Sequence, residues 1–232
     1  MALDFQIFGE GIYSPRQAAR LVGGSPQEVL RWTRGSGPNL PLWEGYYQEL
    51  EDTSELSFSD LIELRVVKAF RGKGISLQSI RFAIIFAQDK FGVERPLSSL
   101  SFKTDGREIL MSALERDGQL VSLQKGRAGQ KVFTEIVQQS LDDLEYENGS
   151  VARWRPTISK GVVLDPRRSF GSPILDDFGI STEMLLSEME QHNDISYLSK
   201  VYEIPRESIR QAIKFENDLD AKQIGEDGKS SL

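Results

Sequence analysis

The stretch that decides the fold runs from Tyr13 to Arg34 and is YSPRQAARLVGGSPQEVLRWTR. It contains Ser-Pro twice, at Ser14-Pro15 and Ser25-Pro26, and each time a Gln or Glu follows three residues after the Ser. Ser caps helices, Pro is tolerated at the first helical position, and a Gln or Glu at the third can bond back to the cap. Gly23-Gly24 supplies the backbone freedom for a sharp turn. The stretch therefore predicts two short helices that meet at an angle.

The side chains of these two helices divide into an inner and an outer set. Small and apolar residues predict the inner faces: Ala18, Ala19, Leu21 and Val22 in the first helix, and Val29, Leu30 and Trp32 in the second. This arrangement is typical of a helix-turn-helix, whose second helix enters the major groove of DNA. We expect DNA contacts from Gln27, Arg31 and Arg34, with Arg16 and Arg20 behind them. The alternative is an αα-hairpin within a helical core.

The net charge of −7 argues at first against a nucleic-acid partner, because affinity for DNA comes largely from Lys and Arg at phosphates. The charge is, however, unevenly distributed. Residues 161–232 hold 8 basic and 14 acidic side chains, whereas Tyr13 to Pro41 carries four Arg against one Glu. The segment that is predicted to face DNA is therefore locally positive.

The residues after the second helix predict a wing and two further helices. Leu42 to Gln48 and Leu50 to Ser57 are predicted to form a short aromatic hairpin. A helix is expected from Ser59 to Gly72, and another from Ser76 or Leu77 to about Lys90. Residues 1–95 are thus predicted to be a winged helix-turn-helix domain.

This order of elements resembles the DNA-binding domain of the MerR family. The shared pattern is Gly74-Ile75-Ser76-Leu77-Gln78-Ser79-Ile80. The chain departs from the family after Arg31, where Trp32 and Thr33 stand in place of the usual pair of Tyr. It also lacks the long coiled coil with which MerR proteins dimerise, which argues against a ligand-triggered activator.

Residues 96–160 are predicted to be a small α+β connecting module. Strands are expected over Leu100 to Thr104, Ile109 to Met111 and Leu120 to Leu123, with hairpin turns at Asp105-Gly106 and Asp117-Gly118. A helix is expected over Phe133 to Tyr146. The segment Arg153-Trp154-Arg155-Pro156 is either a basic aromatic contact point or a linker anchored by its Trp.

Residues 161–216 are predicted to be a C-terminal domain of three short helices in a helix-turn-helix-like arrangement, with Tyr202-Glu203-Ile204-Pro205 as the turn before the third. Residues 217–232 are acidic and carry almost no large apolar residue after Leu219 and Ile224. Such a composition predicts a disordered tail.

Val162 to Phe215 resembles the small antitoxin domain of VapB-like toxin–antitoxin systems. The matching residues are Asp165-Pro166-Arg167, Gly171, Pro173, Tyr202, Ile204-Pro205, Ile209, Ala212 and Ile213. The usual basic residue before the Ile is absent, because Phe178-Gly179 precedes Ile180. The resemblance implies a PIN-like ribonuclease toxin as partner, with repression of the chain's own promoter. Arg167 and Arg168 are the candidate partner-binding residues, although a dimerisation unit or a second DNA-binding unit is the alternative.

Several classes of function find no support in the residues. Without Cys and with His192 as the single His, neither thiol chemistry, a His-containing triad nor a His-rich metal site is indicated. The adjacent carboxylates Asp142-Asp143 and Asp176-Asp177 are expected to be solvated, and Gly126 to Lys131 lacks the spacing of a phosphate loop. We therefore expect no enzyme and no cofactor. The start MALDFQIFGE has no basic segment before a long apolar run, so the cytoplasm is expected.

Together these patterns predict an α+β, mostly helical protein that binds operator DNA as a homodimer and neutralises a toxin. The alternative is a stand-alone MerR-like transcriptional regulator without a toxin partner.

Overall fold

The computed structural model describes residues 9–48, 53–119 and 129–227. Within these ranges the chain forms nine α-helices and five short strands, and 56% of it is helical. The predicted α+β, mostly helical class is confirmed.

The first two helices have the caps that the sequence predicts. Helix α1 spans Pro15–Val22 and helix α2 spans Pro26–Arg34. Ser14 and Ser25 each form a complete capping box with the Gln or Glu three residues later. Gly23 ends α1 in the left-handed conformation, at a φ of 70°, which glycine adopts at no steric cost. The turn between the helices is thus fixed by local chemistry.

Helices α3 (Phe58–Gly72) and α4 (Leu77–Phe91) follow, but the expected wing hairpin is wrong. Residues 42–48 and 53–57 form no strand, and Leu56 makes an isolated antiparallel bridge to Tyr13 instead. Residues 49–52 lie outside the described residues. The aromatic side chains of this segment are used for packing, since Trp43 and Tyr47 are buried.

Helix α5 spans Leu100–Arg116, where strands and a hairpin turn were expected, so this prediction is wrong. The short alternation was misleading because the buried residues recur at helical spacing: Phe102, Gly106, Ile109, Leu110, Ala113 and Leu114. Gly106 lies inside this helix. Its lack of a side chain leaves room for the ring of Phe102, from which a Cβ would be only 2.8 Å away. The predicted strand at Leu120 to Leu123 lies outside the described residues.

Helix α6 (Gly129–Leu141) is followed by strands β1 (Leu144–Glu147) and β2 (Ser150–Trp154), which pair antiparallel. The expected helix to Tyr146 therefore ends earlier than predicted. Asn148 and Gly149 both have positive φ, 52° and 86°, as a two-residue hairpin of the Asn-Gly type requires. The turn predicted over Gly126 to Lys131 is described only in part. Residues 126–128 lie outside the described residues, and residues 129–131 form the start of α6.

The predicted C-terminal domain contains a small sheet and three helices. Strands β3 (Val162–Val163), β4 (Ile174–Leu175) and β5 (Ile180–Ser181) form an antiparallel sheet in sequence order. Helices α7 (Thr182–His192), α8 (Ile195–Val201) and α9 (Arg206–Asp227) follow.

The disorder expected from residue 217 onward is wrong as far as residue 227, because α9 continues through Asp227. Ala212, Phe215 and Leu219 are buried at helical spacing, so the apolar face of the helix extends into the acidic segment. Residues 228–232 lie outside the described residues.

Two clusters of buried side chains form the core. The first contains residues from Tyr13 to Leu164 and continues across the predicted domain boundary at residue 95. The second belongs to the C-terminal domain, from Val162 to Leu219. Leu21 of α1 packs against both clusters. The described part of residues 1–95, which we call the head, therefore contacts the predicted C-terminal domain through its first helix.

Two buried carboxylates of α3 hold the loops around the head. Asp60 is fully buried and accepts hydrogen bonds from Trp43 Nε1 at 2.9 Å, from Arg95 Nε at 2.9 Å and from the amide of Tyr46 at 3.1 Å. Glu63 accepts from the amide of Ser98 at 2.7 Å. Burial raises the pKa of Glu63 to about 8, and the hydrogen bond from Ser98 offsets only part of this rise.

Ionisation of the buried Glu63 carboxyl is therefore expected to lower the stability of the protein as the pH rises. The carboxyl titrates near ~4.3 in an unfolded chain, so its folded-state pKa is raised. The stability linked to this proton is full below about pH 4.3 and is lost progressively up to pH values of about 8. Glu63→Gln retains an oxygen acceptor for Ser98 without ionising. We expect its Tm to exceed that of the wild type by an amount that grows between acidic and mildly alkaline pH.

The control is Glu115→Gln, at an exposed position of α5. Thermal unfolding of the three proteins at several pH values tests the prediction. A Tm difference between Glu63→Gln and wild type that does not change with pH would contradict it.

Candidate nucleic-acid interface

The outer face of α2 carries two of the predicted DNA-contact residues. Gln27 and Arg31 are one helical turn apart and both are exposed, whereas Val29, Trp32 and Thr33 are buried beneath them. Arg34, at the end of the helix, is half-buried. The structure thus brings Gln27 and Arg31 together on one solvent-facing surface, to which Arg31 contributes a positive charge.

A tight loop follows α2 directly. The amides and carbonyls of Ser36 and Asn39 bond reciprocally, at 2.9 Å and 3.1 Å. Gly35 has a φ of 79°, and a Cβ there would lie 2.4 Å from the carbonyl oxygen of Asn39. Arg81 of α4 donates to the carbonyls of Pro41 and Leu40, at 2.6 Å and 2.8 Å. The loop is therefore held in place beside the exposed face of α2. Sequence reasoning missed this role of Arg81, because only the fold brings it within reach.

Arg16 and Arg20 of α1 have different surroundings. Arg16 is exposed. Arg20 donates to Glu216 Oε2 at 2.6 Å and to Asp220 Oδ1 at 2.7 Å, both on α9. Burial lowers the pKa of Arg20, but hydrogen bonds to Asp220 and Glu216 outweigh it and leave the pKa raised. Arg20 was expected to support DNA contacts, whereas its guanidinium is engaged by carboxylates of the C-terminal domain.

The joint between α1 and α9 is built around Glu216. Its side chain is 1% exposed, and its second carboxylate oxygen accepts a hydrogen bond from Thr182 Oγ1 at the start of α7. Beside the joint, a cavity of about 160 Å³ is lined by residues of the head, the middle module and the C-terminal domain, among them Leu21, Trp154 and Leu219. Residues of all three predicted segments therefore meet at this cavity.

Arg20→Met is expected to destabilise the protein. The substitution keeps most of the apolar stem but leaves Glu216 buried without its cation. Breaking a buried ion pair costs about 3–5 kcal/mol, and we expect the lower end, about 3 kcal/mol, because Arg20 is 26% exposed. Chemical denaturation measures the loss. Arg16→Met, one turn earlier on the same helix and exposed, is the matched control. Equal stability of the two variants would show that the joint does not hold the head in place.

The candidate partner-binding residues Arg167 and Arg168 belong to a second charged network. Arg167 bonds to Glu147 and Asp165, and Arg168 bonds to Asp176 at 2.5 Å. The network contains four arginines and four carboxylates: Arg153, Arg155, Arg167, Arg168, Glu145, Glu147, Asp165 and Asp176. Its formal charge is therefore zero, and it ties the β1–β2 hairpin to the C-terminal domain.

The adjacent carboxylates expected to be solvated are only partly so. Asp142 and Asp177 are exposed, but Asp176 belongs to the network above. Asp143 bonds to Arg65 at 2.5 Å and accepts from Trp154 Nε1 at 2.8 Å. Arg65 also lies over the Trp154 ring, 4.9 Å from its centroid. Of the two interpretations of Arg153 to Pro156, the structure favours the anchor, since Trp154 is buried.

The described residues show no arrangement typical of a metal centre. His192 is exposed, its Nε2 lies 3.6 Å from Glu188, and its ring packs against Tyr197. Among the described residues no three or more His, Asp or Glu side chains are placed to hold one metal ion. None of the described helices is both long and apolar enough to cross a membrane.

Comparison with known proteins finds a similar sequence and a similar solved structure. The chain is 29% identical over 170 residues to a Mycobacterium tuberculosis protein named "Putative antitoxin VapB45", and the match covers 69% of this chain and 71% of that protein. This similarity supports the interpretation of the chain as a VapB-like antitoxin. The X-ray crystal structure of Rv2018 from Mycobacterium tuberculosis is similar to this fold with a TM-score of 0.71 at 26% identity, covering 89% of this chain and 99% of that one. No model of a known protein family matches the chain. The resemblance of the head to the MerR family stays a prediction.

Proposed function

We propose that this chain is the cytoplasmic antitoxin of a type II toxin–antitoxin system, which binds its own operator as a homodimer and neutralises a PIN-like ribonuclease toxin of the VapC type. The observation that carries the proposal is the similarity to an antitoxin over most of the chain.

The exposed face of α2 supports the proposed binding of operator DNA. Gln27 and Arg31 present hydrogen-bond donors side by side, and Gln and Arg are residues that bond in pairs to adenine and guanine edges. The exposed Arg16 supplies a further positive charge from α1, suited to a phosphate. Arg34 completes the proposed surface at the end of α2. Arg20 is left out, because it serves the joint with α9.

Arg31→Ala is expected to weaken operator binding by about 1–3 kcal/mol, the range for loss of a bidentate base contact. Gel-shift titration with the promoter DNA upstream of the chain's own gene measures the change. Arg210→Ala removes an exposed arginine of α9 and is the matched control, for which no loss is expected. If Arg31→Ala combined with Arg34→Ala left the affinity unchanged, α2 would not be the recognition helix.

A homodimer is proposed because a single helix-turn-helix seldom binds tightly alone, and paired heads contact two half-sites. Light scattering at micromolar concentration, with and without operator DNA, should show two copies. A monomer in both conditions would contradict this part of the proposal.

The proposed binding of a toxin is tested by co-expression. If the chain is an antitoxin, the nuclease encoded by the adjacent reading frame should co-purify with it in a fixed ratio. If operator DNA is bound but no neighbouring product is retained, the chain is a stand-alone MerR-like transcriptional regulator instead.

A further inference from the structure

The loop between β3 and β4 has an unusual backbone. Ser169, Phe170 and Gly171 are three consecutive residues with positive φ, at 48°, 52° and 84°. The left-handed region is unfavourable for a residue with a Cβ, and a bulky side chain there is a conformational outlier. Such strain persists only where the surrounding structure imposes it, and it concentrates at functional sites.

Contacts from distant parts of the chain impose this conformation. The amide of Ile12 donates to the carbonyl of Phe170 at 3.0 Å, and Tyr13 Oη donates to the carbonyl of Gly171 at 2.8 Å. A Cβ on Gly171 would lie 2.1 Å from Tyr13 Oη, so only glycine fits there. Arg168, bonded to Asp176, fixes the other end of the loop. The segment before α1 and the charged network therefore clamp the loop from both sides.

The strained conformation does not serve to bury the Phe170 side chain. The residue is 64% exposed, and the neighbouring Ile12 is 42% exposed. A Phe that packed into a core would offset the strain by burial, but this ring lies largely in water. The loop thus holds a large apolar side chain outward in a fixed position, which is the property of a binding anchor.

The surroundings of Phe170 indicate which class of molecule it meets. The two arginines that shortly precede it, Arg167 and Arg168, belong to the network of four arginines and four carboxylates. Because both arginines are already bonded to carboxylates, they are poorly placed to neutralise phosphates, so a protein is favoured over nucleic acid as the ligand. A projecting ring beside paired charges fits an apolar pocket on another protein.

We propose that Phe170, supported by Ile12, is the anchor that inserts into an apolar pocket of the toxin. The inference rests on the proposed function and adds the contact residue. The similarity to an antitoxin implies a toxin partner, whereas binding of a second copy through this ring is an outcome that light scattering detects.

Two variants distinguish a role of Phe170 as a binding anchor from a purely structural role. Phe170→Ala removes the ring but keeps a Cβ in the strained conformation. Phe170→Gly removes the ring and the strain together, since glycine adopts positive φ freely. We expect both to weaken binding of the purified toxin from the adjacent reading frame at least 10-fold in calorimetric titration. We also expect Phe170→Gly to have a higher Tm than Phe170→Ala and the wild type.

Val201→Ala is the matched control, because Val201 is an exposed apolar residue of the same domain, 51% exposed on α8. Its toxin affinity should stay within twofold of the wild type. All variants should retain operator DNA in gel shifts, which shows that the head is folded.

An unchanged toxin affinity of Phe170→Ala would contradict the role of Phe170 as an anchor. A Tm of Phe170→Gly below that of the wild type would also contradict it, because Phe170 would then be a structural residue. Loss of self-association on light scattering with unchanged toxin affinity would assign the loop to a second copy. A wild-type chain that binds no toxin contradicts the proposed function itself, and the anchor with it.

Discussion

The structure depends on the contact between Arg20 of α1 and the acidic side of α9. Glu216 is buried and requires a cation, and Arg20 supplies it while also bonding to Asp220. A buried carboxylate without a partner is costly, so the first helix of the head is fixed to the last helix of the chain. This contact faces α1 toward the C-terminal domain and leaves the outer face of α2 open to solvent.

Two groups of arginines therefore have different roles. Arg20, Arg65 and the network around Arg153 join modules through carboxylates, whereas Arg16 and Arg31 remain exposed. A local excess of basic residues thus overstates the surface available to DNA, because part of the charge is neutralised within the fold. In this account, the head offers a small positive surface, and the exposed ring of Phe170 is left for a protein partner.

What could be predicted from the sequence was local. The Ser-Pro starts and the Gly23 turn fixed α1 and α2 because each capping box closes within four residues. The errors came from long-range packing: α5 was taken for strands because its apolar residues face a core built by other helices. Likewise, the segment after Phe215 is acidic in composition, but Leu219 packs and Asp220 pairs with Arg20 across some 200 residues. No pattern in one sequence indicates such a partner.

The central claim is that this chain neutralises a ribonuclease by direct binding while its head remains free to contact DNA. The most direct measurement is a titration of the adjacent reading frame's nuclease, cleaving a labelled RNA, with increasing amounts of the full chain in the presence of operator DNA. The account predicts that cleavage stops at a fixed molar ratio and that the operator stays bound. Undiminished cleavage at a large molar excess of the chain would contradict it.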